Sequence, residues 1–500
     1  MGAMSAGSVT RGGLLGWTPL RRLARRVKEA RLSTLVVAVL LVAITVGGGV
    51  LRADAASDPT VFRSDYKPPE EYMSADETAY GKLARSLSDH GFYGQPGQKH
   101  PVHWPPGAPF LFAFAHELDP QPRVDGNWDV PAAYPVQAIV GTATILAAFA
   151  LAFVLAGPIA GLGAAALVAF YPPLIDASGQ LLSEPLGALL VTGAMLAVAL
   201  ALRRPVWWRL VGAGVLLGAT VLTRADLILV PAITAVVVGV VLWHKQRSAH
   251  NEDVATPAPR RTALLAGARG MLLIGAGCLV LVGPWSAYAS QEEGEFVPIS
   301  SGGASNLFIG TYLPGDGRLF VMKRALIDQL RQRNPSLADD RANAIGTPAY
   351  LQMVAARHPQ LSYEEALRAE AKINLRQYAL GQPLDYAAMM AGKIERLWLH
   401  YTVGGRTEQT WIRGIHLAVV ALGVAGLLAA AARRRGGPML WLLALVLAYV
   451  TALNTVLVSE ARHNLTVMPL VAVAGVAGLA LALLRERPTA TLGGRSGARR

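Results

Sequence analysis

Polar and ionisable residues in this sequence gather in short stretches that border apolar runs. They are Asp76 and Glu77; Asp176, Ser183 and Glu184; Arg224 and Asp226; and Glu460, Arg462 and His463. Carboxylates come early in the chain and basic groups late, which suits a reaction with a general base and an anionic leaving group. His100 and His103, three residues apart, are either metal ligands or plain loop residues.

Each of these stretches has a structural interpretation beside the chemical one. Asp76 and Glu77 are adjacent, so on a helix they point about 100° apart and cannot form a facing carboxylate pair. Asp76 is therefore either a lone base or the cap of a helix that starts at Glu77. Glu184 is either functional or the mark of a span's end, and Arg462 either binds an anion or snorkels to the membrane interface.

The composition indicates what kind of structure must position these residues. Of the 500 residues, 53% are hydrophobic and 16% are charged, whereas soluble proteins carry about 25% charged residues. The mean hydropathy is +0.37 and the pI is near 10.0. A net charge of +13 suits either nucleic acid or a cytoplasmic membrane leaflet. A single cysteine, Cys278, excludes an intramolecular disulfide and a cysteine-built metal site.

Apolar runs along the chain predict an all-α integral membrane protein with about ten transmembrane helices. The runs lie at 33–50, 134–156, 158–174, 185–202, 209–223, 226–243, 268–287, 412–432, 438–458 and 465–484. The boundaries between neighbouring runs near Gly157 and Thr223 are the weakest of these assignments. A cleaved signal peptide is the alternative for the first run, since small residues follow it at 53–57.

Charge asymmetry predicts which loops face the cytoplasm. Arginine and lysine concentrate before the first run, in alternate loops and in the tail, which is typical of cytoplasmic segments. The basic residues therefore set orientation, and no nucleic-acid partner is expected.

The predicted organisation has five parts. They are a basic cytoplasmic N-terminus (1–32), a transmembrane core (33–289) whose first outer loop (51–133) carries juxtamembrane helices, an extracytoplasmic helical domain (290–410), C-terminal transmembrane helices (411–484) and a cytoplasmic tail (485–500). In the helical domain, Ser362 and Glu365 fit a capping box. The stretch around Lys393 is an amphipathic helix that lies either on the membrane interface or against the protein.

Four motifs, in order along the chain, carry a family resemblance. DETAY stands at 76–80, GVLLGATVLTRADLILVP at 214–231, GPWSAYAS at 283–290 and SEARHNLTVMP at 459–469. Together they resemble the membrane glycosyltransferases of the GT-C superfamily, in the branch that holds the protein O-mannosyltransferases and the aminoarabinose transferase of lipid A. The resemblance implies transfer, with inversion, of a sugar from a polyprenyl phosphate to an acceptor hydroxyl.

The resemblance also implies roles for single residues. Asp76 stands at the catalytic base, Glu184 at a second catalytic acidic position, and Arg462 at an arginine that faces the lipid phosphate. The neighbours expected to line the substrate site are Glu77, Tyr80 and His463.

The sequence departs from the family pattern at five positions, of which three are Ala225 for a proline, Ala289 for an asparagine and His463 for a tyrosine. At the fourth, Tyr288 stands where the family has an arginine, so Lys323, Arg324 or Arg318 is expected to replace that cation at the phosphate. His103 stands where the aminoarabinose transferase has a carboxylate metal ligand. With His100, it makes a divalent metal ion the one cofactor that the sequence suggests.

The leading functional hypothesis is a polyprenyl-phosphate-sugar-dependent glycosyltransferase in the bilayer of a bacterial plasma membrane, with an extracytoplasmic active site. The acceptor, whether glycan, lipid or protein, stays open, and so does the sugar. A transporter or flippase is the first alternative. Transporters commonly carry internal repeats and midplane charges, whereas this sequence shows no repeat of its halves and its predicted spans are nearly free of charge. An inactive relative that binds a lipid-linked sugar is the second, because Tyr288 replaces the family's arginine.

Overall fold

A computed structural model describes residues 18–57, 75–94, 102–120, 128–249, 260–333, 347–401 and 409–483. Within these ranges the chain is helical and contains no strand. The α-helices are α1 (Thr18–Ser57), α2 (Ala75–His90), α3 (Gly107–Leu118), α4 (Ala133–Ala156), α5 (Pro158–Ala169), α6 (Pro172–Asp176), α7 (Glu184–Arg203), α8 (Trp207–Thr223), α9 (Val230–Ala249), α10 (Arg260–Glu293), α11 (Gly303–Thr311), α12 (Leu319–Arg333), α13 (Thr347–Ala355), α14 (Tyr363–Asn374), α15 (Pro383–Leu399), α16 (Thr410–Ala432), α17 (Gly437–Val456) and α18 (Met468–Leu483).

Short helical turns complete the described chain. They are 3-10 turns at Ala177–Gly179, Ala225–Leu227, Leu313–Gly315 and Ala461–Val467, and a π-helical segment at Leu375–Leu380. Two of these turns, at 225–227 and 461–467, lie directly before membrane-spanning helices. They carry Asp226 and Arg462, two of the polar residues that the sequence singles out.

Eight helices in the described ranges are long and apolar enough to cross a membrane. They span Thr34–Ser57, Ala133–Ala156, Glu184–Arg203, Ala225–Ser248, Arg260–Glu293, Thr410–Ala432, Gly437–Val456 and Ala461–Leu483. A broken pair, Pro158–Ala169 with Pro172–Gly179, bends by 59° and gives a ninth if it is one span. The chain is thus a multi-pass membrane protein.

Two predicted runs lie outside these eight helices. The run at 158–174 breaks where α6 begins at Pro172 and Pro173, because proline cannot continue a helix. The run at 209–223 forms α8, whose 17 residues are at the short end of the range that crosses a bilayer. Helix α8 still returns the chain to Arg224, which contacts Glu184 at the start of α7. The predicted helix boundaries near Gly157 and Thr223 are confirmed, because α4 ends at Ala156 and α8 ends at Thr223, where Arg224 continues in extended backbone. Gly157 has a φ of +90°, which glycine adopts without strain.

Small residues let the long helices approach closely. A Cβ on Gly214 would lie 2.2 Å from the carbonyl oxygen of Ile274, and one on Gly277 would lie 2.2 Å from that of Val211. Helices α8 and α10 therefore pack backbone to backbone, in the manner typical of membrane helices. The same close approach joins α16 and α18 at Gly426.

The helices between α10 and α16 build a second hydrophobic core from α11, α12, α13 and α14, with buried Phe308, Met322, Tyr350 and Leu367. The predicted capping box is confirmed, since Ser362 accepts from the Glu365 amide and Glu365 accepts from the Ser362 amide. The predicted domain limits of 289/290 and 410/411 stay a prediction.

Candidate active site

Asp76 and Arg462 are 386 residues apart in the sequence and in direct contact in the fold. Helix α2 begins at Ala75, so Asp76 lies inside its first turn and does not precede a helix that starts at Glu77. The Asp76 carboxylate accepts a hydrogen bond from Nη2 of Arg462, which stands in the 3-10 turn before α18. Both side chains keep some exposure, 16% for Asp76 and 22% for Arg462. The two residues therefore form a water-accessible ion pair.

Glu184 lies between two guanidinium groups. It is the first residue of α7, and its side chain is 3% exposed. Its Oε1 atom is 3.0 Å from Nη1 of Arg224 and 4.0 Å from Nη1 of Arg462. A buried carboxylate is costly without cationic partners. Glu184 is therefore more than the mark of a span's end, because it joins the two arginines into one group.

Arg224 is held by a fork of hydrogen bonds. The extended backbone after α8 places it opposite Asp226, with Nε 3.1 Å from Oδ1 and Nη2 2.8 Å from Oδ2. Its Nη1 also donates to Oγ of Ser183 at 3.2 Å. This bidentate geometry is the strong form of an arginine–carboxylate contact. We call Asp76, Glu184, Arg224, Asp226 and Arg462 the carboxylate–arginine cluster.

Tyr80 and Glu77 fasten helix α2 to the segment that precedes α7. The Tyr80 hydroxyl donates to Oγ of Ser183 at 3.1 Å, and the Glu77 carboxylate accepts from the Leu181 amide at 3.4 Å. Burial, and after it the charge of Glu184, raises the pKa of Tyr80 to about 12. The phenol therefore stays protonated at neutral pH and can serve as a donor.

His463 follows Arg462 and points to a neighbouring span. Its Nδ1 atom lies 2.7 Å from Oδ1 of Asn454, near the end of α17. An amide oxygen only accepts, so Nδ1 carries the proton in this arrangement and Nε2 is left as an acceptor. The imidazole therefore orients the turn that presents Arg462.

For three further predicted site residues the structure gives local contacts but none with the carboxylate–arginine cluster. Tyr288 packs beside Trp285, with ring centroids 5.4 Å apart. On α12, the Lys323 ammonium lies 6.0 Å from the ring centre of Tyr350, while Arg324 is exposed. Their roles at a phosphate stay predictions, and the cation that contacts Glu184 beside Arg462 is instead Arg224.

The metal prediction rests on His100 and His103. His103 packs edge-on against Trp104, with ring centroids 5.2 Å apart, and His100 lies outside the described residues. In the part of the chain that the structure describes, no three His, Cys, Asp or Glu side chains come together as ligands for a metal ion. The divalent ion therefore stays a prediction.

Arg224, Asp226 and Ser183 lie at the same end of the spans as the predicted site residues, but the sequence motifs assign them no role. The signal for Arg224 was its position in the LTRAD motif at 222–226. Its pairing with both Asp226 and Glu184 depends on how α7 and α8 meet, which a linear motif does not contain.

An apolar cavity of about 410 Å³ lies between α3, α7, α8 and α10. Its lining includes Phe110, Phe114, Leu190, Leu222 and Trp285. Thr223 and Leu186 also line it, and these residues are one and two positions from Arg224 and Glu184. The lining of the cavity therefore comes within one or two residues, along the chain, of the carboxylate–arginine cluster.

The fold is similar to that of the oligosaccharyltransferase of Archaeoglobus fulgidus in its apo form, with a TM-score of 0.50 at 16% sequence identity, covering 88% of this chain and 50% of that one. The same archaeal protein, AglB, in complex with an inhibitory peptide and a dolichol-phosphate gives a TM-score of 0.48 at 14% identity, covering 88% and 50%. ArnT from Cupriavidus metallidurans, bound to undecaprenyl phosphate, gives 0.37 at 15% identity, covering 88% and 77%.

The chain thus spans half the length of the archaeal oligosaccharyltransferase, and identities this low show a likeness of fold alone. No curated protein matches the chain. Residues 102–258 match the family described as dolichyl-phosphate-mannose-protein mannosyltransferase, and this segment contains both Glu184 and Arg224. Over that segment the chain matches the sequence pattern of these mannosyltransferases, and its helices share the fold of the archaeal oligosaccharyltransferase, which confirms the resemblance that the motifs predict.

Proposed function

We propose that this protein is a membrane glycosyltransferase that moves a sugar from a polyprenyl-phosphate donor to an acceptor hydroxyl. One observation carries the proposal: Asp76, Glu184 and Arg462, which come from three distant parts of the chain, meet in one cluster with Arg224. The acceptor, whether glycan, lipid or protein, stays open. The proposed location is a bacterial plasma membrane, with the site on the extracytoplasmic face that the loop charges favour.

A polyprenyl-phosphate sugar has two chemically different parts, and the site offers a partner for each. Arginine suits a phosphate because its guanidinium makes two parallel hydrogen bonds. The apolar cavity beside Thr223 suits an isoprenoid chain, because its lining is almost entirely carbon. The family matched by residues 102–258 is named for a dolichyl-phosphate-linked sugar, a donor of this chemical class.

The chemistry needs one base and stable positive charge. Asp76 takes the proton of the acceptor hydroxyl, and the freed oxygen attacks the anomeric carbon. The bond from that carbon to the phosphate oxygen breaks, and its electron pair leaves with the phosphate. Arg462 and Arg224 stabilise the departing anion. A single displacement with no covalent sugar–enzyme intermediate inverts the anomeric configuration.

The ion pair between Asp76 and Arg462 links donor binding to the availability of the base. In the structure the Asp76 carboxylate accepts a hydrogen bond from Arg462. A bound phosphate competes for this guanidinium, which leaves the Asp76 carboxylate open to the acceptor hydroxyl. Glu184 is the second acidic position of this proposal, because it keeps both arginines at the site when the phosphate is absent.

The test is sugar transfer in membranes supplied with radiolabelled polyprenyl-phosphate sugars. Asp76→Asn keeps the size of the side chain and removes the base, so we expect transfer to fall by about 10²- to 10⁴-fold. Asp89→Asn, at the exposed far end of the same helix, is the matched control and should leave transfer unchanged.

Two results would count against this proposal. Undiminished transfer by Asp76→Asn would show that Asp76 is not the general base. A wild-type protein that transfers no sugar from any lipid donor favours transport or lipid-sugar binding instead.

A further inference from the structure

Lys393 is fully buried although it lies in α15, outside the spans. Its ammonium donates to three backbone carbonyls: that of Gly310 at 2.5 Å, and those of Thr455 and Leu457 at 2.9 Å each. A lysine ammonium has three N–H donors, so all of them are used. We call this arrangement the lysine tie.

The three carbonyls belong to the ends of two other helices. Gly310 is in the last turn of α11, Thr455 is in the last turn of α17, and Leu457 follows α17 directly. The last carbonyls of a helix lack internal partners and carry the negative end of its dipole, so a cation there is favoured. Lys393 thus caps two helices at once and joins them to α15.

The segment that leaves α17 is the one that presents Arg462. The Ser459 hydroxyl donates to the carbonyl of Lys393 at 3.2 Å, and the Asn464 amide donates to the carbonyl of Leu397. Arg462 stands between these two fastenings. Residues 457–464 are therefore held against α15 on both sides of the arginine that contacts Asp76.

The side chain of Lys393 passes a point where only glycine leaves enough room. Gly317 has a φ of +62°, and a Cβ added there would lie 2.1 Å from Cε of Lys393. Burial, and after it the nearby charge of Arg396, lowers the pKa of Lys393 to about 7. A buried cation of this kind is costly. In the fold this cost is offset by the three hydrogen bonds to carbonyls, and Gly317 leaves room for the side chain.

We infer that Lys393 is a positioning residue that sets where Arg462 stands relative to Asp76. Its catalytic consequence rests on the proposed function, but its geometric consequence does not. Loss of the lysine tie frees the ends of α11 and α17 from α15. The backbone bonds of Val458 to Asn306 and of Ser459 to Gly317 remain, so we expect a shift of the turn that follows Leu457, and with it of Arg462 relative to Asp76. Displacement of a catalytic group by about 1 Å can cost about 10²-fold in rate.

The geometric test needs no substrate. In a Cys278→Ala background the only thiols are those of Asp76→Cys and Arg462→Cys, and a short bifunctional thiol reagent links them. We expect Lys393→Met to lower the cross-linking yield severalfold, and the exposed Lys372→Met to leave it unchanged. An unchanged yield with Lys393→Met in correctly sized, folded protein would overturn the inference.

Gly317→Ala provides a second variant that keeps the lysine itself. The added methyl group displaces the side chain of Lys393 and should also lower the cross-linking yield. If Gly317→Ala perturbs folding no more than Lys372→Met does and still leaves the yield unchanged, the lysine tie does not position Arg462.

The catalytic test is a double-mutant comparison. Lys393→Met should reduce transfer by about 10²-fold in the wild-type background, and by much less in an Arg462→Ala background, because it acts through that arginine. Equal losses in both backgrounds indicate a general structural effect and contradict the inference. A wild-type protein without transfer refutes the proposed function, whereas the cross-linking result still decides the role of Lys393.

Discussion

The carboxylate–arginine cluster and the lysine tie are two polar sites that satisfy their cations in different ways. In the cluster, Arg462 and Arg224 pair with carboxylate side chains, and Asp76 and Arg462 stay partly exposed. In the lysine tie, Lys393 is fully buried and bonded to backbone carbonyls alone. A side-chain ion pair can exchange its carboxylate for a phosphate, whereas a cation held by helix ends has no partner that a ligand can replace. The first site therefore suits binding and chemistry, and the second suits positioning.

The largest further effect should come from removing the exchangeable cation. Arg462→Ala leaves the donor phosphate without its arginine, so we expect transfer to fall by about 10²- to 10³-fold, the range seen when one charge-stabilising donor is removed. Radiolabelled transfer measures it, with the exposed Arg376→Ala as the control. A loss of transfer below about twofold for Arg462→Ala would indicate that another cation binds the phosphate.

The lysine tie should give a pH dependence of stability that the cluster does not. The pKa of Lys393 is 10.5 in an ordinary setting and about 7 in the folded chain. Between these values the unfolded chain holds a proton that the folded chain lacks, so the free energy of unfolding rises with pH through this window. We expect this rise in the wild type and a smaller one in Lys393→Met.

Thermal unfolding in detergent between about pH 7 and about pH 10 measures this difference between the two proteins. Arg396 and Asp316, which form an ion pair at 2.7 Å, are the charged groups that act on Lys393. Identical slopes for wild type and Lys393→Met would show that Lys393 keeps its proton throughout.

The smallest effect should come from a neutral contact at the edge of the cluster. Tyr80→Phe removes one hydrogen bond to Ser183 and leaves the aromatic packing with Trp104 and Phe112 in place. We expect a loss of about 1 kcal/mol in the free energy of unfolding. A loss of transfer as large as that of Asp76→Asn would instead place the Tyr80 hydroxyl on the substrate.

The sequence predicted much of the cluster because topology and motif agreed there. Alternating spans brought the ends that carry Asp76, Glu184 and Arg462 to one side, and the structure joins them. The ion pair of Arg224 with Asp226 depends on extended backbone at one residue, which no periodicity reveals. The bend within the run at 158–174 was not predicted, because an apolar run does not show where a proline pair breaks a helix.

The lysine tie could not be predicted at all. Lys393 occurs in an amphipathic pattern, where a lysine is expected on the polar face in contact with solvent. The structure instead buries it, because three carbonyls from two distant helix ends converge on one point. Sequence patterns report the average preference of a residue type, whereas such a convergence is a property of the tertiary fold.

The most direct test of the whole account is a structure of the protein with undecaprenyl phosphate bound. We predict the phosphate within about 3 Å of the Arg462 guanidinium, the isoprenoid chain in the cavity lined by Phe110 and Trp285, and the Asp76 carboxylate no longer bonded to Arg462. A phosphate bound instead at Lys323 and Arg324, with the pair of Asp76 and Arg462 intact, would contradict it.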